Sequence, residues 1–184
     1  MKNFSKISVA LLALIVAFAF IGCGEEPANP GKYDGSGPGI KFKLSTEGLA
    51  DGTMTDALLA PFHLKISGDA VVTLSAGVLT VVPGPSDNDY DSLDLLATAY
   101  ATIEAPFDIT FKGQALTAGK LKISQPSSPY GSIKNNNPAM VAGDDFEITG
   151  TVAKTQIDGQ PGIRIQRDGG SNMSFTITDI FISK

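Results

Sequence analysis

From position 40 onward, apolar and polar residues alternate in short runs, and residues that favour turns separate the runs. Ile40–Leu44 alternates apolar side chains with two lysines, and Phe107–Phe111 repeats this period of two. The same alternation occurs at 62–66, 120–123, 146–152 and 163–165. A period of two is typical of β-strands with one buried face, and Pro83-Gly84-Pro85 is one of the turn signals between them. The pattern predicts an all-β fold, a two-sheet β-sandwich, over residues 40–184.

Some segments depart from this alternation. Ala70–Leu74 and Val78–Val82 are almost continuously apolar, which predicts strands covered on both faces. The segment Leu93–Tyr100 fits a helix by the spacing of its apolar residues and a strand by the alternation of its leucines, and we favour the strand. A second short helix is predicted at 55–60, ended by Pro61.

The last strand changes phase along its length. Met173, Phe175 and Ile177 share one face, whereas Ile180 and Ile182 lie on the other. The sequence therefore predicts either a bulge near Thr178-Asp179 or an inward-facing Asp179. An inward carboxylate is costly unless it is paired or bound to a cation.

The first 22 residues have the layout of a secretory signal. Lys2 and Lys6 precede an apolar run over 7–21, which is short for a membrane span. The ending Phe20-Ile21-Gly22-Cys23 resembles a bacterial lipoprotein signal, in which the cysteine is diacylated and becomes the first mature residue. This resemblance implies a protein that is exported and lipid-anchored to the bacterial cell envelope through Cys23, in the outer membrane if the cell is diderm. A plain signal peptide or an uncleaved anchor is the alternative.

Residues 23–39 are rich in Gly and Pro and almost free of apolar side chains. Such a segment buries too little surface to offset its ordering entropy, so it is predicted to be a flexible tether between the lipid and the domain.

Composition narrows the function further. The formal net charge of -5 argues against a nucleic-acid partner, since nucleic-acid binders usually present a basic face. A single cysteine excludes an internal disulfide and a four-cysteine zinc site. The single histidine, His63, alternates with core residues and is predicted to lie on the surface. The chain also lacks the Gly-x-Ser-x-Gly, P-loop and His-Glu-x-x-His patterns of common enzymes.

Two stretches together resemble CenC-like carbohydrate-binding modules. Residues 77–95 (GVLTVVPGPSDNDYDSLDL) are similar to the early strand-loop-strand of these modules, and residues 146–183 are similar to their closing half. In the final strand, Asp179 matches the second of two usual aspartates and Thr178 replaces the first. The resemblance implies a galactose-binding-like jelly roll that binds polysaccharide or oligosaccharide. It also implies a structural calcium ion, for which Asp179 is the candidate ligand.

The candidate binding residues follow from the chemistry of sugars. The modules grip sugar rings with tryptophan, and this chain has no tryptophan. Tyr90 and Tyr130 lie in polar loops, Tyr130 with three asparagines at 135–137 nearby, and either ring could stack on a sugar. Arg164 and Gln166 share the outward face of one strand and could bond vicinal hydroxyls. The alternative for these residues is an ordinary solvated sheet face or loop.

The sequence thus predicts non-catalytic carbohydrate binding by a membrane-anchored lipoprotein, which we expect to be a monomer and not an enzyme. Two alternatives stay open. One is a structural or adhesive surface lipoprotein without a sugar site. The other is a small glycoside-acting enzyme, because folding could bring together two of the 19 acidic residues.

Overall fold

The computed structural model describes residues 37–86, 88–169 and 172–184. The predicted signal peptide, Cys23 and the tether up to position 36 lie outside the described residues. The helices are α1 (Asp56–Leu59) and α2 (Lys154–Ile157), and 3-10 turns cover Ala60–Phe62 and Ala97–Ala99. The strands are β1 (Ile40–Lys43), β2 (Gly52–Thr53), β3 (Leu64–Ser67), β4 (Val71–Ser75), β5 (Val78–Val82), β6 (Ser92–Leu96), β7 (Phe107–Ala115), β8 (Leu121–Ser124), β9 (Ser132–Lys134), β10 (Asp145–Val152), β11 (Gly162–Arg167) and β12 (Phe175–Ser183).

The strands form two antiparallel sheets. The seven-stranded sheet has the order β10-β7-β12-β5-β4-β2, and β1 pairs with β12 beside this path. The five-stranded sheet has the order β3-β6-β11-β8-β9. The predicted all-β, two-sheet architecture is confirmed. Within the described ranges, neither helix has the length and apolar character needed to cross a bilayer.

The core lies between the two sheets and is built by the alternation seen in the sequence. Phe107, Ile109 and Phe111 project from β7, and Ile163 and Ile165 project from β11, all of them buried. Removing an aliphatic or aromatic side chain of this size from water contributes roughly 1.5–3 kcal/mol. Burial of these side chains sets which face of each strand points into the core, so the intervening residues of each strand point outward.

The predicted double coverage of β4 and β5 is wrong. Val71 is 47% exposed and Val82 is 40% exposed, and the two are cross-strand partners on the outward face. Both strands alternate between buried and accessible positions like the others. β-branched residues suit any pleated strand, so an apolar run does not by itself mean that both faces are covered.

The segment that begins at Leu93 and the segment 55–60 adopt the predicted strand and helix. The strand prediction at Leu93 is confirmed by β6, and the 3-10 turn after it leads to Tyr100, which is buried with its ring centroid 5.5 Å from that of Phe107. The predicted short helix is confirmed as α1, with Thr55 as its N-cap.

Candidate functional site

The outward face of the five-stranded sheet carries polar side chains that are nevertheless buried. They are Asp94 from β6, Ser124 from β8, and Arg164 and Gln166 from β11. Outward positions on a sheet are normally solvated, so this burial indicates that neighbouring side chains and loops cover the face. The Ser124 hydroxyl donates to Gln166 Oε1 at 2.7 Å, which holds the amide of Gln166 in place.

Arg164 forms a two-point ion pair on this outward face. Its Nε donates to Asp94 Oδ1 at 2.6 Å and its Nη2 donates to Asp94 Oδ2 at 3.0 Å. The two residues are direct cross-strand partners and are 7% and 6% exposed. Both donors on this side of the guanidinium are therefore used inside the protein. Arg164 also does not line the cleft that opens on this face, so its predicted contact with sugar stays a prediction.

A cleft of about 570 Å³ opens on this face, and we call it the tyrosine cleft. The β5–β6 loop forms one wall, the segment that follows β8 forms another, and β8 and β11 supply the floor. Its lining residues are Ser86, Asn88, Asp89, Tyr90, Lys122, Ser124, Gln125, Tyr130 and Gln166.

Three of the predicted site residues meet in this cleft. Tyr90 and Tyr130 come from different loops and are 50% and 62% exposed, while Gln166 lies in the floor. Tyr100, by contrast, is buried in the core, and burial raises the pKa of its hydroxyl to about 12. The fourth tyrosine, Tyr33, lies outside the described residues. The two exposed rings are thus the ones that the polar loop sequences singled out.

A buried carboxylate holds the loop that carries Tyr90. Asp91 accepts hydrogen bonds from the backbone N–H of Gly84 at 2.9 Å and of Asp69 at 3.1 Å. The Ser86 hydroxyl donates to Asp69 at 2.7 Å. This hydrogen bond, followed by one with Asp91, lowers the pKa of the Asp69 carboxyl below its ordinary value. The loop is therefore tied to the turn before β4 through side chains of its own.

A buried arginine supports the same loop from beneath. Arg167 continues the inward phase of Ile163 and Ile165 and is fully buried. Its guanidinium donates to the backbone carbonyl of Asn88 and to Asn172 Oδ1. Arg167 was not among the predicted site residues, although the period of two along β11 already places it on the inward face.

Lys122 and Ser124 were also missed as cleft residues. They alternate with buried Leu121 and Ile123, so their outward direction could have been predicted from the sequence. Their neighbours could not, because Lys122 lies opposite Gln166 only through the pairing of β8 with β11. The Lys122 Nζ also lies 3.3 Å from a carboxylate oxygen of Asp168.

The three asparagines at 135–137 do not line the cleft beside Tyr130. Asn137 instead donates from its Nδ2 to the backbone carbonyl of Leu121 at 2.7 Å. Its role here is to fasten the segment after β9 to β8.

A second cleft, of about 650 Å³, lies on the outward face of the seven-stranded sheet, and we call it the opposite cleft. Its polar side chains pair with one another: Lys112 with Glu147 at 2.9 Å, and Gln114 with Asp145 at 3.1 Å. The aromatic residue in its lining, Phe146, is buried in the core.

Asp179 lies at a bulge in β12. The register of β12 against β7 shifts between Ile177 and Asp179, which confirms the bulge as the reason for the phase change. The Asp179 carboxylate is partly exposed, 3.8 Å from Lys43 Nζ. Across the described part of the chain, no group of three or more His, Cys, Asp or Glu side chains is placed to hold a metal ion. Calcium binding by Asp179 stays a prediction.

His63 lies between β1 and the 3-10 turn after β6. Its Nδ1 is 2.9 Å from the Thr98 hydroxyl, and its ring contacts Phe42 edge-on with centroids 6.0 Å apart. Partial burial lowers the pKa of His63 below its ordinary value. It does not line the tyrosine cleft.

Comparison with known proteins supports the fold. Neither protein-family models nor curated proteins give a match. Among solved structures, the CBM22-1 xylan-binding domain from Paenibacillus barcinonensis matches with a TM-score of 0.52 and 11% identity, over 78% of this chain and 93% of that one. A family 29 carbohydrate-binding module from Piromyces equi matches with a TM-score of 0.43 and 16% identity, over 77% and 91%. The likeness to the xylan-binding domain shows that this chain is a two-sheet jelly roll.

Proposed function

We propose that this protein binds polysaccharide or oligosaccharide in the tyrosine cleft without modifying it. One observation carries the proposal: two exposed tyrosines from separate loops line one cleft of about 570 Å³ above a polar floor. Clefts of roughly 300–1,000 Å³ with a few placed polar groups are typical ligand sites. The fold adds support, because a solved structure of the same architecture is described as a xylan-binding domain.

The lining suits the two kinds of surface that a sugar presents. A pyranose ring has C–H faces that pack on aromatic rings, and Tyr90 and Tyr130 supply such rings. Its edge carries hydroxyl groups that need hydrogen-bond partners. The amide of Gln166, the ammonium of Lys122 and the Ser124 hydroxyl offer donors and acceptors for that edge.

The acidic content of the cleft favours binding over hydrolysis. Glycoside hydrolysis commonly uses two carboxyl groups that flank the bond. Among the described residues that line the tyrosine cleft, only Asp89 carries a carboxylate, so a pair of carboxyl groups is not present in this lining. We therefore assign the cleft a non-catalytic role.

We further propose that Cys23 carries a lipid anchor and that the protein acts as a monomer at the cell envelope. The support is the resemblance of Phe20–Cys23 to a lipoprotein signal and the tether-like composition that follows. Two or more acyl chains give stable membrane attachment. Palmitate labelling that disappears in Cys23→Ala would support the anchor, and continued labelling would reject it.

Affinity electrophoresis tests the sugar site directly. The protein should be retarded in gels that contain xylan, β-glucan or mannan, and Tyr90→Ala/Tyr130→Ala should abolish the retardation. Val71→Ala/Val82→Ala is the matched control, because it trims two exposed side chains on the other sheet and should migrate like the unmodified protein. Failure to bind any glycan on a broad array would favour the structural or adhesive alternative. Release of reducing sugar would favour an enzyme.

A further inference from the structure

Two buried glutamines hold the loop that presents Tyr130. We infer that Gln160 and Gln125 are positioning residues that keep Tyr130 in its binding orientation before a glycan arrives. Neither was singled out by the sequence, and Gln160 lies outside the cleft lining. This inference rests on the proposed function, because it assigns these residues to the same sugar site.

Gln160 clamps the backbone just before Tyr130. Its Oε1 accepts from the backbone N–H of Ser127 at 3.1 Å and from the Ser127 hydroxyl at 2.8 Å. Its Nε2 donates to the backbone carbonyl of Ser128 at 3.0 Å. A backbone N–H can only donate and a carbonyl can only accept, so these contacts fix the orientation of the amide. Gln160 is buried, which makes each of these bonds costly to lose.

Gln125 clamps the backbone just after Tyr130. Its Oε1 accepts from the backbone N–H of Gly131 at 2.7 Å, and its Nε2 donates to the carbonyl of Gln156 at 2.9 Å. Its own backbone N–H donates to the carbonyl of Gly131 at 2.8 Å. Gln125 is also buried. Together the two amides tie both sides of Tyr130 to the segment that joins β10 to β11.

The backbone at Tyr130 shows why such clamps are needed. Tyr130 has φ of 55°, in the left-handed region, which costs an ordinary residue roughly 1–2 kcal/mol. Its N–H donates to the Ser127 carbonyl at 2.8 Å, which closes a tight turn. Without the glutamine contacts, relaxation of this turn would swing the ring away from the floor. A ring that is already placed loses less conformational entropy on binding.

A double-mutant cycle in the full chain tests the inference. Gln160→Leu removes the amide at similar volume, and we expect glycan affinity to fall about tenfold, as for loss of buried hydrogen bonds. In a Tyr130→Ala background, Gln160→Leu should change affinity little, because the ring it positions is gone. Gln114→Leu, which breaks a side-chain pair in the opposite cleft, is the control and should bind normally.

Hydrogen exchange gives a second readout that needs no glycan. Gln160→Leu should speed exchange of the Ser127, Tyr130 and Gly131 amides at least tenfold and leave β7 protected. Normal affinity in Gln160→Leu, an equal loss with and without the Tyr130 ring, or unchanged exchange would each overturn the inference. If the unmodified protein binds no glycan, the proposed function fails, and the exchange rates still decide whether Gln160 fixes the loop.

Discussion

The tyrosine cleft and the opposite cleft have similar volumes, about 570 and 650 Å³, and they lie on the outward faces of different sheets. Their surfaces differ. The tyrosine cleft presents two exposed tyrosines, and the buried Arg164–Asp94 pair lies on the same outward sheet face. The opposite cleft is lined by side chains that mainly bond one another at the surface. Available aromatic surface over a polar floor, and not cleft volume, is therefore our reason for proposing the tyrosine cleft, and not the opposite cleft, as the sugar site.

The largest expected effect concerns the Arg164–Asp94 ion pair. Arg164→Met should lower the free energy of unfolding by about 3–5 kcal/mol, because it leaves the Asp94 carboxylate buried without its partner. Urea denaturation measures the change. Asp94→Leu/Arg164→Met should recover much of the loss, since no charge is then stranded. A loss below about 1 kcal/mol for Arg164→Met would mean that Arg164 and Asp94 are as well solvated as an exposed ion pair.

The next effect concerns the rings. Tyr130→Asn should weaken glycan binding about 30-fold, because a half-exposed ring that becomes buried contributes about 2 kcal/mol. Isothermal titration measures the dissociation constant. Tyr130→Phe keeps the ring and should stay within about threefold.

Stability should move in the opposite direction for the same variant. Asparagine tolerates the left-handed backbone better than tyrosine does, so Tyr130→Asn should raise the free energy of unfolding by up to about 1 kcal/mol. A loss of both stability and binding would instead mean that the ring packs in the fold.

A smaller effect is expected in the opposite cleft. The Lys112 and Glu147 side chains are 37% and 57% exposed, and an ion pair of this kind contributes roughly 0–1 kcal/mol. Lys112→Met should therefore barely change the urea midpoint and leave glycan affinity unaltered. Reduced affinity in this variant would erase the distinction between the two clefts.

The smallest effect lies outside both clefts. The pKa of His63 is lower in the folded protein than its ordinary value of 6.5. Just below pH 6.5, His63 therefore binds a proton more readily in the unfolded chain than in the folded protein. The free energy of unfolding should therefore be highest above pH 6.5 and should decrease slightly as the pH falls below 6.5. The melting temperature should drop less between pH 7.5 and 5.5 in His63→Asn, where asparagine also suits the φ of 59°. Equal drops would assign the pH dependence to other groups.

Much of the fold could be predicted from the local alternation of apolar and polar residues. Alternation along β11 predicted inward Ile163 and Ile165 and outward Gln166, and polar loops predicted exposed Tyr90 and Tyr130. The partner of Arg164 was not readable, because Asp94 is 70 residues away in sequence and meets it only through the pairing of β6 with β11.

Residue type is a poor guide to burial at two places in the fold. The apolar runs of β4 and β5 suggested double coverage, yet Val71 and Val82 face outward. Arg167 was not predicted at all, and a fully buried arginine is rare. Arg167 is buried because the alternation of β11 points it inward, and its guanidinium donates a hydrogen bond to the carbonyl of Asn88 there. Long-range pairing and buried polar contacts were thus the parts that local sequence did not reveal.

The two ends of the described domain lie side by side. The Lys184 N–H donates to the carbonyl of Gly39 at 3.0 Å, and Ile40 pairs with Ser183. A short peptide from 184 to 39 would therefore close the backbone into a ring, which could be reopened at an exposed turn such as the one at Gly143. The fold is suited to circular permutation, and a permuted form could be attached to a surface from a different side while the tyrosine cleft stays intact.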